Sequence, residues 1–225
     1  MLTVHHLNNS RSQRVLFLLE ELELPYELVR YQRDPKTMLA PRELLAVHPL
    51  GKSPVITDEG RTIAESGAII EYVLDRYGKG RLKPAQGSDD GLRYTYFLHY
   101  AEGSLMPLMV MKLVLSAIPK GPMPFFIRPV AKGITQGVNR AFLGPQSSTH
   151  LNFLEGELSQ RRWFAGDEFS AADIQMSFPL EAATVRSSLS RATHPKIFDW
   201  IERIHDRPAY KRALERGGEF KLASF

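Results

Sequence analysis

Residues 48–77, HPLGKSPVITDEGRTIAESGAIIEYVLDRY, constrain the fold more than any other stretch of this chain. A Gly51-Lys52-Ser53-Pro54 turn leads into the apolar run Val55 to Thr57. Asp58 to Gly60 make a hairpin tip, and Arg61 to Ala64 return as a second strand. Glu65-Ser66 then opens a helix in which Ile69, Ile70, Val73, Leu74 and Tyr77 recur at roughly the 3.6-residue helical period and so line one face. Pro54 cannot donate to a sheet ladder, so it belongs at a strand start or bulge, and its peptide bond can be cis where the turn demands it. Ser66 stands at the head of a helix whose free N–H groups and dipole favour negative charge. The Glu65-Ser66 turn is therefore a candidate carboxylate cradle. Ser66 is equally a plain N-cap by residue preference, and Pro54 a plain turn former.

The residues before this stretch add a strand, a helix and a strand. Leu2 to Leu7 is a strand candidate, and Asn8-Asn9-Ser10 stop it and offer helix caps. Val15, Leu18, Leu19 and Leu22 mark the apolar face of a helix that ends before Pro25, and Tyr26 to Tyr31 alternates as a second strand. A strand-helix-strand opening of this length implies a parallel pair with a crossover helix. Residues 34–41 read as a loop and 42–47 as at most a short helix, so residues 1–78 carry βαβ followed by ββα.

Gly78 to Gly91 has linker composition, and beyond it strand-like alternation stops. Helical segments are expected at 92–117, 125–142, 149–161, 174–185, 196–206 and 209–216, separated by proline or glycine. The organisation predicted is a domain at 1–78, a linker at 79–91 and an all-helical domain at 92–225, an α/β plus all-α chain. Ser170-Ala171-Ala172-Asp173-Ile174 places Ser three residues ahead of Asp, close to a capping box that fixes the start of a buried helix.

Pro54 followed by Glu65-Ser66-Gly67-Ala68-Ile69 resembles the glutathione-binding half of the glutathione S-transferase superfamily. In that family a thioredoxin-like domain holds a cis-proline, with a Glu/Asp-Ser pair at the start of its third helix. The resemblance extends over nearly the whole chain. Trp163-Phe164-Ala165-Gly166-Asp167 followed by the Phe169-Ser170-x-Ala172-Asp173-Ile174 pattern is similar to the folding core of the family's helical domain, which implies structural roles for Ser170 and Asp173. HPKIFDWIERIHDRPAY resembles its penultimate helix, and HHLNNSRSQRVLFLLEEL resembles a fungal and bacterial branch with non-standard residues at the catalytic turn.

The resemblance implies an enzyme of detoxification type that conjugates glutathione, as cosubstrate, to a small hydrophobic electrophile. The chain has no cysteine, so any thiol must come with a substrate. A free thiol titrates at about 8.5, and each unit of lowering needs roughly 1.4 kcal/mol of preferential thiolate binding. One charge-assisted hydrogen bond, at about 1.5–3 kcal/mol, is of the right size. Counted back from Arg14-Val15, the family's catalytic serine falls on Asn9, with Ser10 one place later. Whether Ser10, Asn9 or neither stabilises sulfur stays open, since all three polar residues could simply cap the helix. The resemblance further implies that the Ser53 backbone beside Pro54 pairs with the cysteinyl moiety, Glu65 and Ser66 hold the γ-glutamyl end, and Lys52 reaches the glycyl carboxylate. Met106 and Met109 would line the second-substrate pocket, though a Met stripe is as often plain core. Glu102 would either reach across a dimer interface to the glutamyl amine or sit on a solvated helix face.

Other classes fit less well. Net charge is +4 and spread along the chain, so nucleic acid binding is not inferred. Gly51-Lys52-Ser53 mimics a phosphate loop, but position 46 is Ala where that motif needs Gly. His5 and His6 are neighbours in a strand and point to opposite faces, which argues against a shared metal. The N-terminus carries no signal-like apolar stretch, and the run 105–111 is too short to span a bilayer. A soluble, cytoplasmic homodimer without metal, nucleic acid or membrane partner is expected. Two rivals accompany this reading: a glutathione-dependent peroxidase or disulfide-bond reductase, and a non-catalytic binding or interaction module on the same fold.

Overall fold

A computed structural model describes every residue of the chain except 36, 219, 221 and 223–225. Its first part runs β1 (Thr3–Leu7), α1 (Ser12–Glu21), β2 (Glu27–Tyr31), α2 (Leu44–Val47), β3 (Val55–Asp58), β4 (Arg61–Ala64) and α3 (Ser66–Tyr77). The sheet order is β2-β1-β3-β4. β1 pairs parallel with β2, and β3 pairs antiparallel with both β1 and β4. This is the thioredoxin-like arrangement. The hairpin is tied to α3 through Asp58, a buried carboxylate that accepts hydrogen bonds from the Tyr72 hydroxyl at 2.8 Å and the Tyr77 hydroxyl at 2.5 Å.

The helical part comprises α4 (Asp89–Tyr100), α5 (Met106–Ala117), α6 (Arg128–Val138), α7 (Gly144–Gln160), α8 (Ala171–Arg186), α9 (Pro195–His205) and α10 (Pro208–Gly217). α4 starts inside the segment expected as linker because Ser88 caps it, its side chain accepting the Gly91 N–H at 3.0 Å, and Asp89 and Asp90 complement the helix dipole. Two wide π turns, at Ala101–Leu105 and Asn139–Leu143, join α4 to α5 and α6 to α7. Each carries a five-residue backbone bond, from Met106 N–H to the Ala101 carbonyl and from Gly144 N–H to the Asn139 carbonyl. A proline, Pro107 or Pro145, follows at once. A proline inside a helix lacks an N–H and presses its ring on the carbonyl four residues back. Widening the turn by one residue relieves both. The break expected between 142 and 149 is therefore absent, and helix runs without interruption from 128 to 160.

The Asp89–Lys120 stretch is long and apolar enough to cross a membrane by length and composition alone, with a mean hydropathy of 1.5 in its most apolar window. In this fold 28% of that window is buried; Phe97, Leu105, Met106 and Met109 of the stretch lie in the core, while Met111, Val114 and Ile118 are exposed. α8 is the axis of the helical part: every residue from Ala171 to Ala183 is buried, and α1, α4, α5 and α9 pack around it. Asp173 at its head has no exposed surface and accepts from the Phe164 N–H (3.0 Å), the Ser170 N–H and hydroxyl (3.1 Å each) and the Trp200 indole (3.1 Å).

The two parts are joined through α1, which is buried along Ser12–Glu20. Glu20 receives Arg212 Nε at 2.9 Å and Arg216 Nη1 at 3.2 Å from α10, together with the Tyr26 hydroxyl at 2.8 Å. Arg207 pairs with Glu21. α10 lies so close that a Cβ on Gly217 would stand 2.7 Å from Leu16 Cδ1, 3.1 Å from Gln13 Oε1 and 3.4 Å from His6 Cε1, so a larger residue there has to displace the ends of those side chains.

Candidate functional site

A cleft of about 580 Å³ opens where the end of β1 and the turn after it face the helical part. One side is made by Asn9, Ser10, Arg11, Lys52 and Ser53, the other by α5 and α8 through Met106, Val110, Val114 and Phe178. The Ser53–Pro54 peptide bond is cis. The Ser53 hydroxyl donates to the His5 carbonyl at 2.9 Å and accepts the Leu7 N–H at 3.2 Å, which holds the proline turn against β1. Pro54 is buried behind it, and Lys52 is exposed at the lip.

Asn8 does not cap α1. Its side-chain oxygen accepts the Arg33 N–H at 2.8 Å, and its carbonyl accepts Arg33 Nε at 3.2 Å, so it ties the end of β1 to the end of β2. α1 begins at Ser12; the Arg11 side chain does not cap it, and it is Ser10 whose oxygen meets the first N–H of the helix. Asn9 turns the chain in the left-handed region at φ 51°, which asparagine tolerates better than most residues.

Ser10 opens a buried polar chain. Its Oγ lies 2.8 Å from Ser12 Oγ and accepts the Ser12 N–H at 3.2 Å, and Ser12 Oγ lies 2.8 Å from His6 Nδ1. The other side of the His6 ring hydrogen-bonds the Gly217 backbone, and burial lowers the His6 pKa to about 4. The ring is thus neutral, with its proton on the nitrogen facing Gly217, and Nδ1 is an acceptor. Ser12 Oγ lies 2.8 Å from this acceptor and 3.3 Å from the Leu7 carbonyl, so its proton goes to the nearer His6 Nδ1 and the Ser10 hydroxyl donates to Ser12. The Ser10 proton is directed inward, and what Ser10 offers the cleft is a lone pair.

A second buried network lies beside it. The Arg14 side chain is 1% exposed. Its Nη1 donates to the Gln175 carbonyl at 2.8 Å, and its Nη2 donates to Ser66 Oγ at 2.9 Å and Glu102 Oε1 at 2.5 Å. Arg11 Nε reaches both Glu102 oxygens at 3.0 Å. Burial alone would raise the Glu102 pKa, but the Arg14 and Arg11 charges outweigh it and hold the carboxyl below its usual range. Glu102, partly exposed, is engaged by this chain's own arginines. The π turn carries it into this position. Ser66 begins α3 and is buried, its oxygen accepting from Arg14 and its hydroxyl proton left to donate. Glu65 is exposed at φ 70° and ψ 123°, a conformation that L residues adopt rarely and that recurs at ligand sites.

Of the residues picked from sequence, Asn9, Ser10, Lys52, Ser53 and Met106 share the cleft. Glu65 and Ser66 stand apart from it, at the head of α3, and are linked back through Arg14. Met109 is wholly buried in the core, and Val110 takes its place in the wall. Sequence reasoning weighed His6 only as a metal ligand, used Arg14 only as a point to count from, and passed over Ser12. The signal available was a Ser-x-Ser-x-Arg run of polar residues entering a helix that is otherwise apolar.

Residues 10–76 match the family model for the glutathione S-transferase N-terminal domain, and residues 143–208 match that for the C-terminal domain. The chain is 36% identical over 226 aligned residues to glutathione S-transferase 3 of Schizosaccharomyces pombe, covering 100% of this chain and 91% of that one. It is 34% identical to glutathione S-transferase 1 of Saccharomyces cerevisiae, covering 96% and 95%. A crystal structure of a glutathione S-transferase from Actinobacillus pleuropneumoniae superposes with a TM-score of 0.81 at 33% identity, covering 100% of this chain and 97% of that one.

Proposed function

The chain belongs to the glutathione S-transferase family, and from that premise we propose that it deprotonates glutathione and adds the sulfur to a small apolar electrophile. The observation that carries this reading is the cleft itself. The Asn9-Ser10 turn and the cis Ser53–Pro54 turn share one cavity with the apolar wall of α5. In the proposed complex the tripeptide lies extended, with its cysteinyl part on the Ser53 backbone, its glycyl carboxylate toward Lys52 and its glutamyl end at Glu65 and Ser66. The free hydroxyl proton of Ser66 and the N-terminus of α3 suit a carboxylate.

The inward-directed Ser10 hydroxyl favours Asn9 and the N–H groups of the turn as donors to the thiolate, with Ser10 as a positioning residue. On an aryl halide the sulfur forms the new S–C bond, halide leaves with its electron pair, and the thiol proton passes to solvent. Positioning and thiolate stabilisation supply the rate. A division into parts at 1–78 and 92–225, a homodimer and a cytoplasmic location complete the reading.

Titration calorimetry with glutathione, on the full chain and on Ser66→Ala, tests it. A dissociation constant in the micromolar to low millimolar range that weakens about tenfold in the variant, as loss of one charge-assisted bond predicts, is the expected result. No binding at millimolar glutathione overturns it. Assaying an aryl halide beside a peroxide and a mixed disulfide decides the reaction class, with turnover of the halide expected to dominate.

A further inference from the structure

The cleft carries more positive charge than glutathione accounts for. Arg11, Arg33, Lys52 and Arg186 line it, and no aspartate or glutamate does among the described residues. The three guanidiniums are close enough that the Arg11 charge depresses the pKa of both Arg33 and Arg186, beyond the effect of burial on each. Arg11 gives its Nε to Glu102, and Arg33 is engaged by the carbonyls of Asn8 and Met38. Arg186 differs from these two in that no carboxylate or carbonyl engages its guanidinium among the described residues, and its Nε, like that of Arg14, is buried without a hydrogen-bond partner. The Arg186 charge meets no carboxylate among the described residues, and an anion seated against its terminal nitrogens would offset that half-buried charge.

The position of Arg186 separates it from the tripeptide. Under the binding mode above, the carboxylates of glutathione are met at Lys52 and at the head of α3, both on the sheet side. Arg186 ends α8 on the opposite side, the side of the apolar wall, eight residues after Phe178. That wall, with Val110, Leu113, Val114 and Phe178, offers an apolar surface bounded by a cation.

We propose that the second substrate is an apolar electrophile bearing an anionic group, a carboxylate or its like, and that Arg186 is the residue that selects it. The electrophilic carbon lies over the Asn9-Ser10 turn, its apolar body on the α5 wall, and its anion at the Arg186 guanidinium. This rests on the transferase reading and adds the substrate class to it.

The test compares 4-chloro-3,5-dinitrobenzoate with its methyl ester, each rate divided by the uncatalysed rate with glutathione. The wild-type chain should show a normalised kcat/KM at least tenfold higher for the acid. Arg186→Gln should lower the acid's value about tenfold more than the ester's, and Arg186→Lys should recover most of that loss. The KM for glutathione serves as the folding and cosubstrate control. Equal normalised rates for acid and ester, or an equal loss of both in Arg186→Gln, overturn the inference and leave the transferase reading standing. If neither compound is turned over, both fall together.

Discussion

Replacing Glu102 by Gln isolates the dependence of the proposed glutathione site on one partly buried charge. Arg14 is 1% exposed and Glu102 30% exposed, with 2.5 Å between Nη2 and Oε1. Unit charges about 4 Å apart near a protein surface attract by about 4 kcal/mol. The partial exposure of Glu102 lowers this, and the amide keeps an acceptor in place, so a loss of about 2–3 kcal/mol is expected. Urea unfolding at fixed protein concentration reads it directly, as a lowered midpoint at pH 7. The pH dependence supplies a second check. Because Glu102 titrates below its unfolded value, its contribution is complete above the unfolded pKa and fades as pH falls through the folded one. The gap between wild type and variant should therefore narrow in acid. Since Arg14 also holds Ser66, glutathione affinity should drop, and Ser66→Ala should cost less in the Glu102→Gln background than alone. A variant that unfolds within about 0.5 kcal/mol of wild type at pH 7, the usual size of a neutral surface change, would refute the reasoning.

Three further outcomes follow from the buried groups. His6 titrates at about 4 in the fold, against 6.5 as its ordinary value, so the unfolded chain binds the extra proton between them. Stability from this group, about 3 kcal/mol, should be complete above pH 6.5 and disappear as pH falls toward 4, and His6→Gln should flatten that slope in acid-unfolding curves. Ser12→Ala should free the Ser10 hydroxyl to turn outward, lowering the pKa of bound glutathione as followed by thiolate absorbance; an upward movement would count against the inward orientation. Asp173→Asn puts an amide among four donors and should cost about 2–4 kcal/mol, seen as a lower Tm and poor soluble yield, while correctly folded enzyme keeps its kcat.

The strands, the parallel β1–β2 pair and the β3–β4 hairpin were legible because period-two runs, a hairpin tip and a proline at a strand mouth each constrain the chain locally, while the pairing of β1 with β3 that completes the sheet rested on the family resemblance. The cleft turn was legible too, since Asn9, Ser10, Ser53 and Pro54 sit at element ends that the topology brings together. What was not legible comes from distance and context. Arg14 meets the Gln175 carbonyl across 161 residues, and no local pattern announces that pairing. Pro145 falls in a stretch read as a break between two helices, whereas Pro107 lies inside one expected helix; at both, the π turn absorbs the misfit and the helix stays continuous. Met106 and Met109 share one helix three residues apart, but only the first reaches the cavity, because at roughly 3.6 residues per turn Met109 sits about 60° round α5 from Met106, off the stripe of Met106, Val110, Leu113 and Val114 that lines it.

The contact between Gly217 and the ring of His6 has a consequence for how the protein is made. The first strand leaves the ribosome some two hundred residues ahead of the glycine that completes its hydrogen bonding. Until α10 emerges, the outer side of α1 is uncovered, Glu20 and Glu21 lack their arginines, and His6 can pick up a proton. A nascent chain at that stage can build its sheet but cannot yet set the direction of the serine protons, so competence to handle a thiol should arrive late and abruptly during translation.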